Sequence, residues 1–186
     1  VVNLADVFQF KFVGSGTIYL DNLMFTVEGD VVEPPADAPT EGAPVPTAAD
    51  ANVISVFSDT YTAVTGVDTN PNWGQTTVTT VEVIDGNDTL KMADLNYQGV
   101  QFAITDVSGQ TSLHLDYWTA DATSFDVYLI SQGPLETPYT ITTTQNGWQS
   151  VDIPLSAFSG VVNLADVFQF KFVGSGTIHL DNLYFE

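Results

Sequence analysis

The sequence predicts an all-β protein, an antiparallel β-sandwich of the jelly-roll kind. Three observations predict it. Short runs rich in Val, Thr, Ile and aromatic residues recur through residues 51–186, separated by Gly, Asp, Asn and Pro. Two of the runs alternate: Phe168, Phe170 and Phe172 with Gln169 and Lys171, and Leu113, Leu115 and Tyr117 with His114, Asp116 and Trp118. That is the period of a half-buried strand. No stretch sustains apolar residues at helical spacing.

The strands follow in order. Residues 53–57 are a short apolar run, and residues 78–84 are Val- and Thr-rich. Asp85-Gly86-Asn87-Asp88 is a hairpin turn leading into residues 89–92. Residues 98–104, 112–119, 124–131, 148–153 and 168–172 continue the series. The last strand, 178–185, breaks phase. Ile178 and Leu180 share a face, but the next apolar pair is Leu183 and Phe185, so the frame shifts at Asp181-Asn182. One inserted residue is what a β-bulge supplies.

The chain also repeats itself. Residues 1–18, VVNLADVFQFKFVGSGTI, return unchanged at 161–178. Residues 19–25 match 179–185 except for Tyr19 against His179 and Met24 against Tyr184. The period of 160 residues is one domain's worth of chain, which predicts a window on a tandem array. Residues 1–25 read as the last strands of a preceding repeat, 26–50 as a Pro-rich acidic linker, and 51–186 as one complete module. Pro34, Pro35, Pro39, Pro44 and Pro46 predict an extended, semi-rigid spacer.

Charge excludes several functions. The chain has 23 acidic residues and three basic ones, Lys11, Lys91 and Lys171, for a net charge of −20. Nucleic-acid binding requires a basic surface, and anionic membrane surfaces attract basic segments; neither partner fits. No run of about 20 apolar residues is present, so membrane insertion is not expected. Cysteine is absent, which removes disulfides, thiolate metal sites and cysteine nucleophiles. Asp outnumbers Glu, which suits loop-borne calcium sites and also suits simple solubility in a salty medium.

Candidate binding residues are aromatic and amide-bearing. Trp73 lies in Asn70-Pro71-Asn72-Trp73-Gly74-Gln75, flanked by Pro and Gly. Either its ring offers a flat face to a pyranose, with Asn72 and Gln75 pairing to hydroxyls, or it folds inward and caps the core. Tyr97, in Asn96-Tyr97-Gln98-Gly99, either extends that platform or is an ordinary strand-end tyrosine. His114, Asp116 and Trp118 share a strand face, which is a binding groove or a polar face packed under a loop. Asp59 after the first strand and Asp181 at the bulge could join backbone carbonyls in a calcium site; lone Asp residues in turns more often bond to backbone. Catalysis has little support. No pair of carboxylates is singled out by spacing, as glycoside hydrolysis needs, and no nucleophile motif or phosphate loop is present.

Six segments together resemble a known family: Ile54-Ser55-Val56-Phe57-Ser58-Asp59, Pro71-Asn72-Trp73-Gly74-Gln75, Tyr97-Gln98-Gly99, Leu113-His114-Leu115-Asp116, Thr123-Ser124-Phe125 and Leu180-Asp181-Asn182-Leu183-Tyr184-Phe185. They resemble, in order over most of residues 51–186, the non-catalytic carbohydrate-binding domains of secreted polysaccharide-degrading enzymes and surface proteins of marine Bacteroidetes. The resemblance implies a galactose-binding-domain-like jelly roll, β-glucan as the ligand class, Trp73 as a sugar platform, and Asp59 with Asp181 as calcium ligands. The expected function is therefore a calcium-stabilised, non-enzymatic carbohydrate-binding module in an extracellular or cell-surface repeat protein. The alternative is a structural or adhesive repeat of a filament or adhesin. In that reading neighbouring repeats are linked by strand exchange, and residues 1–25 fill a strand slot in a neighbouring chain.

Overall fold

The computed structural model describes residues 11–20, 23 and 37–186. The chain forms two compact units, Val1–Pro34 and Pro35–Glu186. In the first unit, residues 11–20 form neither helix nor strand. The strand-exchange expectation for residues 1–25 depends on 1–10, 21, 22, 24 and 25, which lie outside the described residues.

The second unit is built from strands β1 (Ile54–Phe57), β2 (Val78–Ile84), β3 (Asn87–Ala93), β4 (Tyr97–Thr105), β5 (Ser112–Trp118), β6 (Ser124–Ser131), β7 (Leu135–Thr142), β8 (Gln149–Pro154), β9 (Val167–Gly174) and β10 (Ile178–Phe185). One sheet has the order β2-β3-β10-β5-β8, with β1 also pairing β10; the other has the order β4-β9-β6-β7. All strand pairs are antiparallel. The predicted sandwich is thus the observed fold.

The core lies between the sheets, where the alternating sequences place it. Leu113, Leu115 and Tyr117 of β5 face Phe125, Val127 and Leu129 of β6 and Phe170 and Phe172 of β9, all of them buried. Each such side chain contributes roughly 1.5–3 kcal/mol by leaving water. The intervening residues point out of the sandwich.

Strand β7 is absent from the sequence reading. Pro134 and Pro138 demote that stretch, because proline cannot donate to a ladder. The structure places β7 at a sheet edge, where Pro138 has no second neighbour to serve. The bulge does occur. Pairing of β10 with β5 slips between Asp181 and Tyr184, and Asn182 sits at φ 50°, in the left-handed region that Asn tolerates.

The spacer expectation fails over its described part. Residues 37–50 do not stand apart as a linker; they belong to the second unit and cross the outer face of the larger sheet. The Glu41 carbonyl accepts the Trp148 Nε1–H at 2.8 Å, the Pro44 carbonyl accepts Asn182 Nδ2 at 2.9 Å, and the Ala48 carbonyl accepts the Tyr61 hydroxyl at 2.8 Å. Proline-rich chain has few backbone donors of its own, so its carbonyls are free to accept from side chains of the sandwich. The strap lies against Asn182 and Tyr184 of β10, a strand buried along its whole length.

Candidate functional site

The outer face of the smaller sheet carries two polar rows. Cross-strand register aligns Gly99, Lys171, Tyr128 and Pro138 in one row, and Gln101, Gln169, Ile130 and Glu136 in the next. Lys171 Nζ lies 4.1 Å above the Tyr128 ring and bonds both Glu136 oxygens, at 2.6 and 2.7 Å. The lysine is therefore held in place by a cation–π contact and a bidentate ion pair.

Trp73 closes this face at its β4 end. The chain after β1 runs along the free edge of β4: Asp68 and Gln101 exchange backbone hydrogen bonds at 2.8 and 2.9 Å, and the Ala103 N–H donates to Thr65 at 2.9 Å. The loop then folds over the sheet. A Cβ added to Gly99 would meet Trp73 Cζ3, Cε3 and Cη2 at 2.5, 2.6 and 2.6 Å. Three nearly equal distances mean that Gly99 abuts the ring's face, so Trp73 lies flat on the β4 backbone. Its ring lines a groove of about 400 Å³ with Ile130, Pro134, Glu136, Gln169 and Lys171. Trp73 is half-buried and does not cap the core.

The other predicted residues divide into contacts and braces. Tyr97 lies beside Trp73 on the same face, and its hydroxyl donates to the Trp73 carbonyl at 2.8 Å. Asn72 is exposed beside the ring. Gln75 is not free for sugar hydroxyls. Its Oε1 accepts the Trp73 N–H at 2.8 Å, and its Nε2 donates to the Pro71 carbonyl at 2.7 Å and Asn70 Oδ1 at 3.1 Å. Gln75 shapes the loop from within.

Gln98 does the same from below and was not singled out as a site residue. It is fully buried, donates to the Thr69 carbonyl at 3.0 Å and the Gly99 carbonyl at 2.9 Å, and accepts from Thr79 Oγ1 at 2.7 Å. Lys171, Tyr128, Glu136 and Gln169 were missed as well. Phe170 and Phe172 point inward and so put Gln169 and Lys171 outward, although a register shift gives the next core position to Val167 rather than to the expected Phe168; only strand order brings Gln169 and Lys171 under Trp73.

Trp118 does not share this groove. It lies on the outer face of the opposite sheet, 5% exposed, with its ring edge-on to His179 at 5.5 Å. A small recess of about 170 Å³ beside Trp148 and Glu41 borders it. As a candidate binding residue Trp118 is separated from Trp73 and Tyr97 by the strand order, because β5 and β4 belong to different sheets.

The face that carries His114, Asp116 and Trp118 lies beneath residues 37–50. His114 Nδ1 lies 2.6 Å from Asp152 Oδ1 and its Nε2 lies 3.5 Å from Asp116 Oδ1. Its ring stacks on Tyr184, with centroids 4.5 Å apart. Burial alone would lower the His114 pKa, yet hydrogen bonds to Asp116 and Asp152 outweigh it and raise the value. Asp116 also accepts from Ser150 Oγ and, at 2.7 Å, from Asn182 Nδ2.

Asp59 and Asp181 are brought near each other. Asp181 is fully buried, accepting Asn87 Nδ2 at 2.5 Å and the Asn182 N–H at 2.6 Å. Asp59 accepts the Asp88 N–H at 2.6 Å, next to Asn87. Burial pushes the Asp181 pKa up to about 6, and the charges of Asp59 and Asp116 add to the rise. Among the described residues, no three acidic or histidine side chains converge on one metal position. Asp59 and Asp181 offer carboxylate oxygens, the donor type a hard cation takes, while the groups placed against them are N–H donors from Asn87, Asp88 and Asn182.

No protein-family model matches the chain, and no curated protein does. Solved structures do. The family 30 carbohydrate-binding module of a cellulosomal cellulase of Clostridium thermocellum is 16% identical, over 72% of this chain and 96% of that one, with a TM-score of 0.52. A family 29 carbohydrate-binding module complexed with mannohexaose is 12% identical over 72% of this chain and 89% of that one, with a TM-score of 0.51. An exo-β-agarase is 16% identical over 70% of this chain but only 24% of its own length, with a TM-score of 0.50. At these identities the likeness is one of fold: an antiparallel β-sandwich of the architecture found in carbohydrate-binding modules.

Proposed function

We propose that the chain is a non-catalytic carbohydrate-binding module whose ligand, a polysaccharide of the β-glucan class, lies across the outer face of the smaller sheet. The observation that carries this reading is the Trp73 ring, laid flat on Gly99 at the head of an open groove. A pyranose presents a C–H face that stacks on such a ring. Asn72, Gln169 and the Lys171–Glu136 pair supply the donors and acceptors that hydroxyls require. Tyr97 and Gln75 hold the Trp73 loop in position. The fold supports the reading, since the similar modules carry carbohydrate binding in their names and one holds mannohexaose.

The groove lining contributes one carboxylate, Glu136, where glycoside hydrolysis uses two. That favours binding over cleavage. We further infer an extracellular or cell-surface setting, where polysaccharides are met, and a repeat protein in which weak sites add through effective concentration. A structural calcium ion would be held by Asp59 and Asp181 with neighbouring oxygens, tying the β1 end to β10.

The test is retention of the chain on soluble β-glucans and other polysaccharides in affinity electrophoresis. Trp73→Ala is expected to abolish retention while the melting temperature stays close to that of the parent. Undiminished retention of the variant would overturn the assignment.

A further inference from the structure

A second pocket, of about 320 Å³, lies on the opposite sheet beneath the strap. That volume is at the lower end of the range for small-ligand sites, which begins near ~300 Å³. Asp116, Asp152, Glu186 and Tyr184 line it, with Pro44 and Pro46 of the strap on the other side. Three carboxylates meet here, yet Lys91 and Lys171 are engaged with Glu82 and Glu136 elsewhere. His114 is the one basic group in the lining, set between Asp116 and Asp152.

Charge alone does not make a site; Tyr184 supplies the second observation. It is only 3% exposed, it lines the pocket, and its hydroxyl has no hydrogen-bond partner among the described residues. The side chain is packed in, and its hydroxyl reaches the surface of the pocket. Burial, with the nearby charges of Glu186, Asp116 and Asp152, holds it protonated. It is a donor and acceptor left open toward the pocket.

The internal repeat adds an independent argument. Residues 1–26 align with 161–186 and differ at three positions: Tyr19 against His179, Met24 against Tyr184, and Thr26 against Glu186. Two of the three differing residues, Tyr184 and Glu186, line this pocket. The other positions of the segment, core residues and the outward Gln169 and Lys171 alike, do not vary. Variation concentrated in a pocket lining marks a place where ligand preference, rather than folding, is set.

We propose that this pocket binds the protonated amino group of an amino sugar. An ammonium ion donates three hydrogen bonds and suits carboxylates that surround a space without converging on one point. A divalent metal needs convergence, which the described residues do not provide. The Tyr184 hydroxyl and the neighbouring Thr47 call for neutral partners as well. A polyhydroxylated ring supplies them, whereas an alkyl amine does not. The apolar edges of Pro44 and Pro46 suit the C–H groups of the ring.

The experiment is an NMR titration of the whole chain at neutral pH with glucosamine, N-acetylglucosamine, glucose and propylamine. Glucosamine is expected to bind best. Acetylation removes the charge, and both N-acetylglucosamine and glucose should bind at least about tenfold more weakly, the worth of one charge-assisted hydrogen bond. Tyr184→Met and Glu186→Thr, the residues of the other copy, should each weaken glucosamine binding while leaving polysaccharide retention by the Trp73 face intact. Trp73→Ala should leave glucosamine binding intact, so failure here and failure of the Trp73 groove can be told apart. Equal binding of glucose and glucosamine, equal binding of propylamine, or full binding by both pocket variants would overturn the proposal.

Discussion

Trp73 occupies the space that a side chain at position 99 would fill. A Cβ on Gly99 would come within 2.5 Å of the indole. Gly99 is thus required by close approach and not by backbone conformation. Gly99→Ala should lift or displace the ring, reducing polysaccharide retention nearly as much as Trp73→Ala. Overpacking of this kind costs about 1–3 kcal/mol, so melting temperature and retention measured together check it. Retention equal to the parent would mean that the ring's seat on β4 is unimportant for binding.

Gln98 organises the same loop from inside the sandwich. Replacing it with Ala strands the Thr69 carbonyl and Thr79 hydroxyl in a part-buried setting. Each unsatisfied group costs about 1–3 kcal/mol. Gln98→Ala is expected to destabilise the fold more than Gln75→Ala, whose partners are closer to solvent. Urea denaturation of the two variants gives the ranking; the reverse order would contradict the assigned roles.

His179 is fully buried, and neither ring nitrogen has a hydrogen-bond partner. Burial first, and the Lys91 charge second, push its pKa down to about 4 from 6.5. The unfolded chain therefore takes up a proton before the folded one does. Stability from the neutral ring is present above 6.5 and is lost as pH falls toward 4, by an amount on the order of 3 kcal/mol. His179→Tyr, which copies Tyr19, should flatten the loss of stability between pH 6.5 and 4. Parallel pH profiles for parent and variant would refute this.

Asp181 titrates in the opposite sense. Its folded pKa of about 6 lies above the ordinary 3.8, so its contribution is present below 3.8 and is lost as pH rises through 6. A calcium ion at Asp59 and Asp181 would relieve the ionised form. Calcium should therefore raise the melting temperature more at pH 7.5 than at pH 5, and not at all in Asp181→Asn. Calorimetry with calcium and with chelator reads this directly; a calcium effect that survives the substitution would place the ion elsewhere.

Asn182 bolts the strap to the bulge. It donates to the Pro44 carbonyl and to Asp116, and accepts from Ser58 Oγ at 2.7 Å. Asn182→Ala removes these bonds and places alanine at φ 50°. A loss of about 2–4 kcal/mol is expected, with faster proteolysis within residues 37–50. Cleavage at the parent rate would show that the strap is held by other contacts.

The sequence by itself determined most of the strands, the inward face of β5 and the bulge at Asp181-Asn182, because alternation and turn residues are local properties of the chain; it did not mark β7, whose prolines are tolerated only because the strand lies at a sheet edge. It also marked Trp73 and Tyr97, whose loop and strand start are adjacent in space. Tertiary structure alone decided which strands share a sheet, and so sent Trp118 to the opposite face and brought Lys171, Tyr128 and Glu136 under Trp73. It also turned residues 37–50 from a spacer into a strap, through carbonyl contacts with side chains up to 138 residues away. Residues 11–18 and 171–178 make the reason plain. They are the same eight residues, KFVGSGTI, yet the later copy ends β9 and begins β10 while the earlier one forms no strand. A strand is completed by its neighbours' hydrogen bonds and by a core to cover its apolar face, and neither is written in the eight residues themselves.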